Sequence, residues 1–99
     1  MLLRLSPRVP DDLEEIADFI ATDSPRHAMR LLRDLRAKMK AIARQPELYR
    51  LRPEIGADAR VAVVGQYLIL FRIHRNAVRI ERVVHGGRDL KSVLDAGEE

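Results

Sequence analysis

Between Ala59 and Asp89 the chain reads ARVAVV GQ YLILFRIH RN AVRIERVVH GGRD. Three strand-forming runs, Arg60 to Val64, Tyr67 to His74 and Ala77 to His85, are separated only by Gly65-Gln66 and by Arg75-Asn76. Connections of two residues predict tight antiparallel hairpins, and Asn76 tolerates the positive φ that such turns demand. Within the middle run the period is two. Tyr67, Ile69, Phe71 and Ile73 share one face, while Leu68, Leu70, Arg72 and His74 share the other. Arginines alternate with apolar residues throughout, and the stretch ends in the basic, glycine-punctuated group His85-Gly86-Gly87-Arg88-Asp89. A sheet this small and this positive suits an anionic partner better than a small apolar ligand.

Upstream the period changes. Leu2 to Ser6 reads as a first strand, closed by Pro7 and Pro10. Val9, Leu13, Ile16, Ala17 and Ile20 then recur at helical spacing, with Asp11, Asp12, Glu14 and Glu15 in the first turns, where the helix dipole favours negative charge. Ser24 is a good N-cap and Pro25 a good first residue for a second helix running to about Arg44. Its apolar stripe is Ala28, Leu31, Leu32, Leu35, Met39 and Ile42, and its remaining faces carry arginines and lysines. The short link predicts an antiparallel helical hairpin, across which the acidic first helix and the basic second one can face each other. Phe19 and Phe71 are expected in the core. Gln45 to Gly56, with two prolines and no period, reads as a loop, and 88–94 as a short last helix or a tail.

The order is β-α-α-β-β-β, with a possible terminal α. The helical hairpin must bury its stripe, and one face of the sheet is the available partner. At about 25 cal/mol per Å2 of apolar surface, such a two-layer core is just sufficient for a small domain. The fold class expected is therefore α+β: an N-terminal helical hairpin packed on one face of a small, mainly antiparallel sheet.

Composition narrows the function. Ninety-nine residues make one domain, 1–99, too small for a deep enclosed cofactor pocket. No cofactor is expected. There is no cysteine and there are three histidines (His27, His74 and His85), which excludes disulfides and thiolate chemistry and speaks against a metal cluster. With 46% hydrophobic and 33% charged residues the chain is globular rather than disordered. Arg4 interrupts the leading Met1-Leu2-Leu3, so no signal peptide is read. The apolar run Tyr67 to Phe71 is far short of a membrane span. A cytoplasmic protein without membrane contact is expected. A net charge of +3 fits an acidic protein partner as well as a phosphate backbone.

Asp12-Leu13 with Ile16, Ser24-Pro25, Ala43-Arg44-Gln45-Pro46, Arg52-Pro53-Glu54-Ile55, Arg60 seven residues before Tyr67, Tyr67 to Ile73, and Val83 to Leu90 follow one another in an order that resembles the RelE/ParE superfamily of toxins from type II toxin–antitoxin pairs. The resemblance spans nearly the whole chain. It implies one of two activities: ribosome-dependent cleavage of messenger RNA in the RelE branch, or poisoning of DNA gyrase without chemistry in the ParE branch. In either case it implies a cognate antitoxin, ParD-like in the second branch, whose disordered acidic segment wraps the toxin.

Cleavage through the 2′-hydroxyl needs a base, an acid and cations on the phosphate. Against the RelE pattern, Arg88 matches and Arg60 matches loosely. Leu68 stands where that branch carries an arginine, and the terminal aromatic position falls near Leu94. His85 remains a candidate base because histidine titrates near neutrality; the competing reading has its ring capping the last strand beside Gly86-Gly87. No catalytic residue is therefore assigned, with Arg60, His85 and Arg88 as weak RNase candidates. Arg60, Leu68, Leu70, Arg72, Arg82 and Arg88 form the candidate partner-binding strip. His27 and His74 read as exposed, and Arg52-Pro53-Glu54-Ile55 as a structural loop. Four aromatics supply no base-stacking platform, so nucleic acid is expected only indirectly, through antitoxin or gyrase. The reading is a ParE-like toxin that binds gyrase. Its alternatives are a RelE-like RNase and a non-toxic toxin-fold protein acting only in an antitoxin–operator complex.

Overall fold

In the computed structural model, which describes residues 1–90, the chain forms β1 (Leu2–Leu5), α1 (Arg8–Ala21), α2 (Pro25–Arg44), β2 (Arg60–Val64), β3 (Tyr67–His74) and β4 (Ala77–His85). A 3-10 turn at Pro46–Leu48 lies between α2 and β2. The sheet order is β1-β4-β3-β2, with β1 parallel to β4 and the other pairs antiparallel. Both hairpins of the downstream sheet turn on two residues. Gly65 takes φ +58°, and Arg75 and Asn76 take +50° and +62°. Two consecutive left-handed residues are the signature of a type I′ turn, whose twist matches that of the flanking strands. The final helix expected over 88–94 falls mostly outside the described residues.

The two helices pack on one sheet face. Val9, Ile16, Leu35, Met39 and Ile42 meet Ala62, Tyr67, Ile69, Phe71, Val78, Ile80 and Val83. Burial of each larger side chain contributes about 1.5–3 kcal/mol, which makes this contact the main stabilising term. Ser24 caps α2 by accepting the His27 N–H at 3.2 Å, with Pro25 in the first position.

Four expectations are corrected. Pro10 does not close β1. It sits in the first turn of α1, where its missing N–H has no intrahelical acceptor to lose. Phe19 is 60% exposed rather than core; it lies at the rim of the apolar stripe, turned toward the segment after β4. The acidic and basic helices do not pair, since among the described residues no salt bridge joins α1 to α2. Asp11, Glu14, Glu15 and Asp18 line one outward face, and Arg33, Arg36 and Lys40 another. Finally, β4 does not alternate strictly. Leu70 pairs with Arg82 but Phe71 with Ile80, so Glu81 is the extra residue of a β-bulge.

Beyond the bulge β4 has no neighbouring strand on one side, because β1 pairs only with residues 77–80. Three side chains stand in for it. The Ser6 hydroxyl donates to the Glu81 carbonyl at 2.7 Å, the Asp12 carboxylate accepts the Val83 N–H at 3.0 Å, and Asp89 accepts the His85 N–H at 3.3 Å. This explains why Ser6 and Asp12 are the buried polar residues among those described: each satisfies a backbone group that would otherwise be left unpaired at a covered strand edge. Asp12 also receives Arg82 in a two-pronged pair at 2.8 and 3.0 Å. That hydrogen bond is the main reason the Arg82 guanidinium is pushed further above its ordinary value.

Candidate functional site

The segment after β4 folds back on His85. Nδ1 of the imidazole accepts the backbone N–H groups of Gly87 and Arg88, both at 3.1 Å, and Nε2 lies 3.1 Å from Gln66 Oε1. Two backbone donors on Nδ1 assign the proton to Nε2, which donates to Gln66. The ring also stands edge-on to Tyr67, with centroids 5.4 Å apart. Gly86 N–H closes the group by donating to the Gln66 carbonyl at 2.9 Å. Both imidazole nitrogens are thus used inside the turn. To act as a base, Nδ1 would have to exchange two backbone hydrogen bonds for a proton.

Arg88 projects from this turn and lies over the Phe19 ring, its guanidinium carbon 4.5 Å from the centroid. The pair separates two shallow grooves. One, of about 310 Å3, runs between α1 and β4 past Asp12, Ile16, Arg82 and Val84. The other, of about 630 Å3, lies between the helical hairpin's turn and His85, past His27, Leu31 and Gln66. The guanidinium is thus held over an exposed aromatic between two grooves, in a cation–π arrangement.

The remaining candidates are scattered over several surfaces. Arg60 points to the helix side, where Nη1 donates to the Tyr49 carbonyl, and Tyr49 in turn stacks edge-on to Phe71 at 5.6 Å. It therefore fastens the loop to the sheet. On the opposite face, Leu68 and Arg72 are half-exposed, but Leu70 is buried at 4% exposure. Arg72 donates to Glu81 at 3.1 Å and approaches Asp58 at 3.8 Å, and Arg79 donates to the same Glu81 oxygen at 2.8 Å. The bulge thus places one carboxylate between two arginines and neutralises much of the strip. Arg82 shares this face by register but spends its guanidinium on Asp12. Of the six, Arg60 and Arg88 are charged and without a carboxylate partner among the described residues, and Arg60 spends its guanidinium on the Tyr49 carbonyl.

The loop after α2 holds itself together. Arg52 Nε donates to both Glu54 oxygens at 3.2 and 3.3 Å. The Glu54 carboxyl is held below its ordinary value, chiefly through its own backbone amide; desolvation opposes this, and the Arg52 hydrogen bond and charge add to the lowering. His27 and His74 are exposed. No group of three or more potential metal ligands occurs among the described residues, and no described helix is long and apolar enough to cross a membrane.

Sequence reasoning placed Phe19 in the core and gave Gln66, Ser6 and Asp89 no role of their own at the site. Asp12 carried a legible signal, a carboxylate one turn from both Val9 and Ile16 on the core-facing side of α1, and was assigned only to the helix dipole.

A family model described as the ParE toxin of type II toxin–antitoxin system, parDE, matches residues 3–90. Among solved structures, the "Chromosomal ParDE TA system from P. aeruginosa" superposes with a TM-score of 0.75 at 19% identity, covering 86% of this chain and 95% of that one. No curated protein matches the chain. At that identity the structural likeness carries the fold, a helical hairpin on a four-stranded mixed sheet, and the family model carries the assignment. The chain belongs to the ParE toxin family of type II toxin–antitoxin systems.

Proposed function

We propose that this chain is a toxin that acts by binding, with DNA gyrase as its target and a cognate antitoxin bearing an acidic segment as its silencer. The observation that carries the reading is the state of His85. Its two ring nitrogens are occupied by Gly87, Arg88 and Gln66, so the one histidine near the family's site is built as a cap. Leu68 stands where a cleaving relative would hold an arginine, and Arg60 is committed to Tyr49. What is left at the surface suits recognition: Arg88 over Phe19 between two grooves, and half-exposed Leu68 and Arg72 on the open sheet face. These mixed apolar and cationic features fit an amphipathic acidic segment. Action on gyrase would place the protein in the cytoplasm.

Purified chain is expected to inhibit gyrase supercoiling in a dose-dependent manner and to leave ribosome-bound message intact. Message cleavage that disappears in His85→Ala would overturn the proposal in favour of the RNase reading. Absence of both activities, with harmless expression lacking antitoxin, would leave the toxin-fold protein that works only in an antitoxin–operator complex.

A further inference from the structure

The outer edge of β1 is bare. Leu2, Leu3 and Leu5 are 66%, 37% and 46% exposed, Met1 49%, and Leu48, beside Met1 in one recess, 75%. Apolar exposure along the free edge of a strand is the arrangement that natural edge strands avoid. The direction of the free backbone groups follows from the ladder. Ser6 N–H donates inward to the Ile80 carbonyl, so by the alternation of a strand Leu2 and Arg4 also point their amides toward β4. Leu3 and Leu5 point theirs outward.

We infer that this edge pairs with the same edge of a second copy of the chain, joining two four-stranded sheets into one of eight strands. The pairing is antiparallel about a two-fold axis through Leu3. In that register Leu3 of each copy exchanges N–H and C=O with Leu3 of the other, and each Leu5 N–H meets the Met1 carbonyl of the other copy. The Leu3 N–H and C=O and the Leu5 N–H are used, and the Leu5 carbonyl faces the Met1 ammonium of the other copy, which also donates to its own Ala43 carbonyl at 2.9 Å. The register also separates like charges: Arg4 of one copy lies opposite Leu2 of the second, not opposite its Arg4. Leu3 and Leu5, which share the helix-side face with Val78 and Ile80, continue the apolar layer across the axis. Glu47, exposed beside Met1, is carried toward the strand's far end in the second copy, where Arg8 opens α1. A partner that is a second copy therefore satisfies hydrogen bonds, apolar cover and charge at once, twice over. The inference is independent of the target proposed above.

The test uses the full-length chain, whose lack of cysteine makes single-cysteine variants unambiguous. Sedimentation equilibrium should give a reversible dimer, and Leu5→Lys should weaken it at least tenfold while leaving the circular dichroism spectrum unchanged. A short bismaleimide should link Leu3→Cys into covalent dimers, and should not link Ala57→Cys, which lies in an exposed loop before the opposite edge strand. A chain that stays monomeric to several hundred micromolar overturns the inference. So does a dimer that Leu5→Lys leaves intact, or one that Ala57→Cys captures as well as Leu3→Cys does. Pairing of this edge only with a different protein, such as an antitoxin segment, overturns it equally.

Discussion

Removing the Asp12 carboxylate should cost far more than its position on a surface helix implies. Asp12→Ala deletes two charge-assisted bonds to Arg82 and the acceptor of the Val83 N–H. The two side chains of the pair are 9% and 21% exposed. Breaking a fully buried pair costs about 3–5 kcal/mol, and stranding a buried amide about 1–3 kcal/mol. Arg82 retains enough exposure to turn partly into water, which moves the sum to about 3 kcal/mol. In a domain of this size that lowers Tm by on the order of 15 °C. Asp12→Asn keeps an oxygen for Val83 and loses the charge, so about 1–1.5 kcal/mol is expected. Arg82→Met leaves a carboxylate still bound to one amide and should fall between the two, at about 2 kcal/mol. Urea unfolding followed by circular dichroism measures all three, and the double variant Asp12→Ala with Arg82→Met closes the cycle. Asp12→Ala below about 1 kcal/mol, or equal to Asp12→Asn, would refute the account of Asp12 as a stand-in for a missing strand.

The β3–β4 turn offers the opposite sign: replacing Arg75-Asn76 by Asn-Gly suits two positive φ values and should stabilise by about 0.5–1 kcal/mol, with a lower urea midpoint as the contrary result. His85→Ala removes the acceptor of two backbone donors and should destabilise by about 1–2 kcal/mol without altering gyrase inhibition per folded molecule; a selective loss of inhibition would make the ring part of the interface. Glu54 has its folded pKa depressed, so the ionised loop is favoured above the ordinary value of 4.5 and that preference fades as pH falls below it. An NMR titration should find the Glu54 midpoint below 4.5 and shifted back upward in Arg52→Ala; a midpoint at or above that value contradicts the loop geometry.

The fold was readable because its signals are local. Two-residue connectors between alternating runs dictate hairpins, Ser24-Pro25 dictates a helix start, and the two apolar stripes have one place to go. The errors arose where a residue answers to something distant in sequence. Glu81 is extra only because Leu70 chooses Arg82, and no pattern within β4 announces that choice. Asp12 lies 71 residues from the amide it caps. Arg60 reads as a surface cation until Tyr49 comes within reach of it. The candidate site was therefore harder to read than the scaffold. Alternation names the face of an arginine, but an ion pair depends on which carboxylate a bulge delivers beside it.

The outward charges of the helical hairpin have an effect at distances where no contact exists. With carboxylates gathered on α1 and cations on α2, the molecule carries a sizeable dipole in addition to its net +3. A charged target far away responds mainly to the monopole, but within about 8–10 Å at physiological salt it meets a field that differs from side to side. An approaching partner is rotated before it touches, and the face presented first is decided by long-range torque rather than by shape. Low salt should therefore favour one encounter geometry and high salt should randomise it. The same protein would be retained on both cation and anion exchangers, each matrix holding it by a different helix.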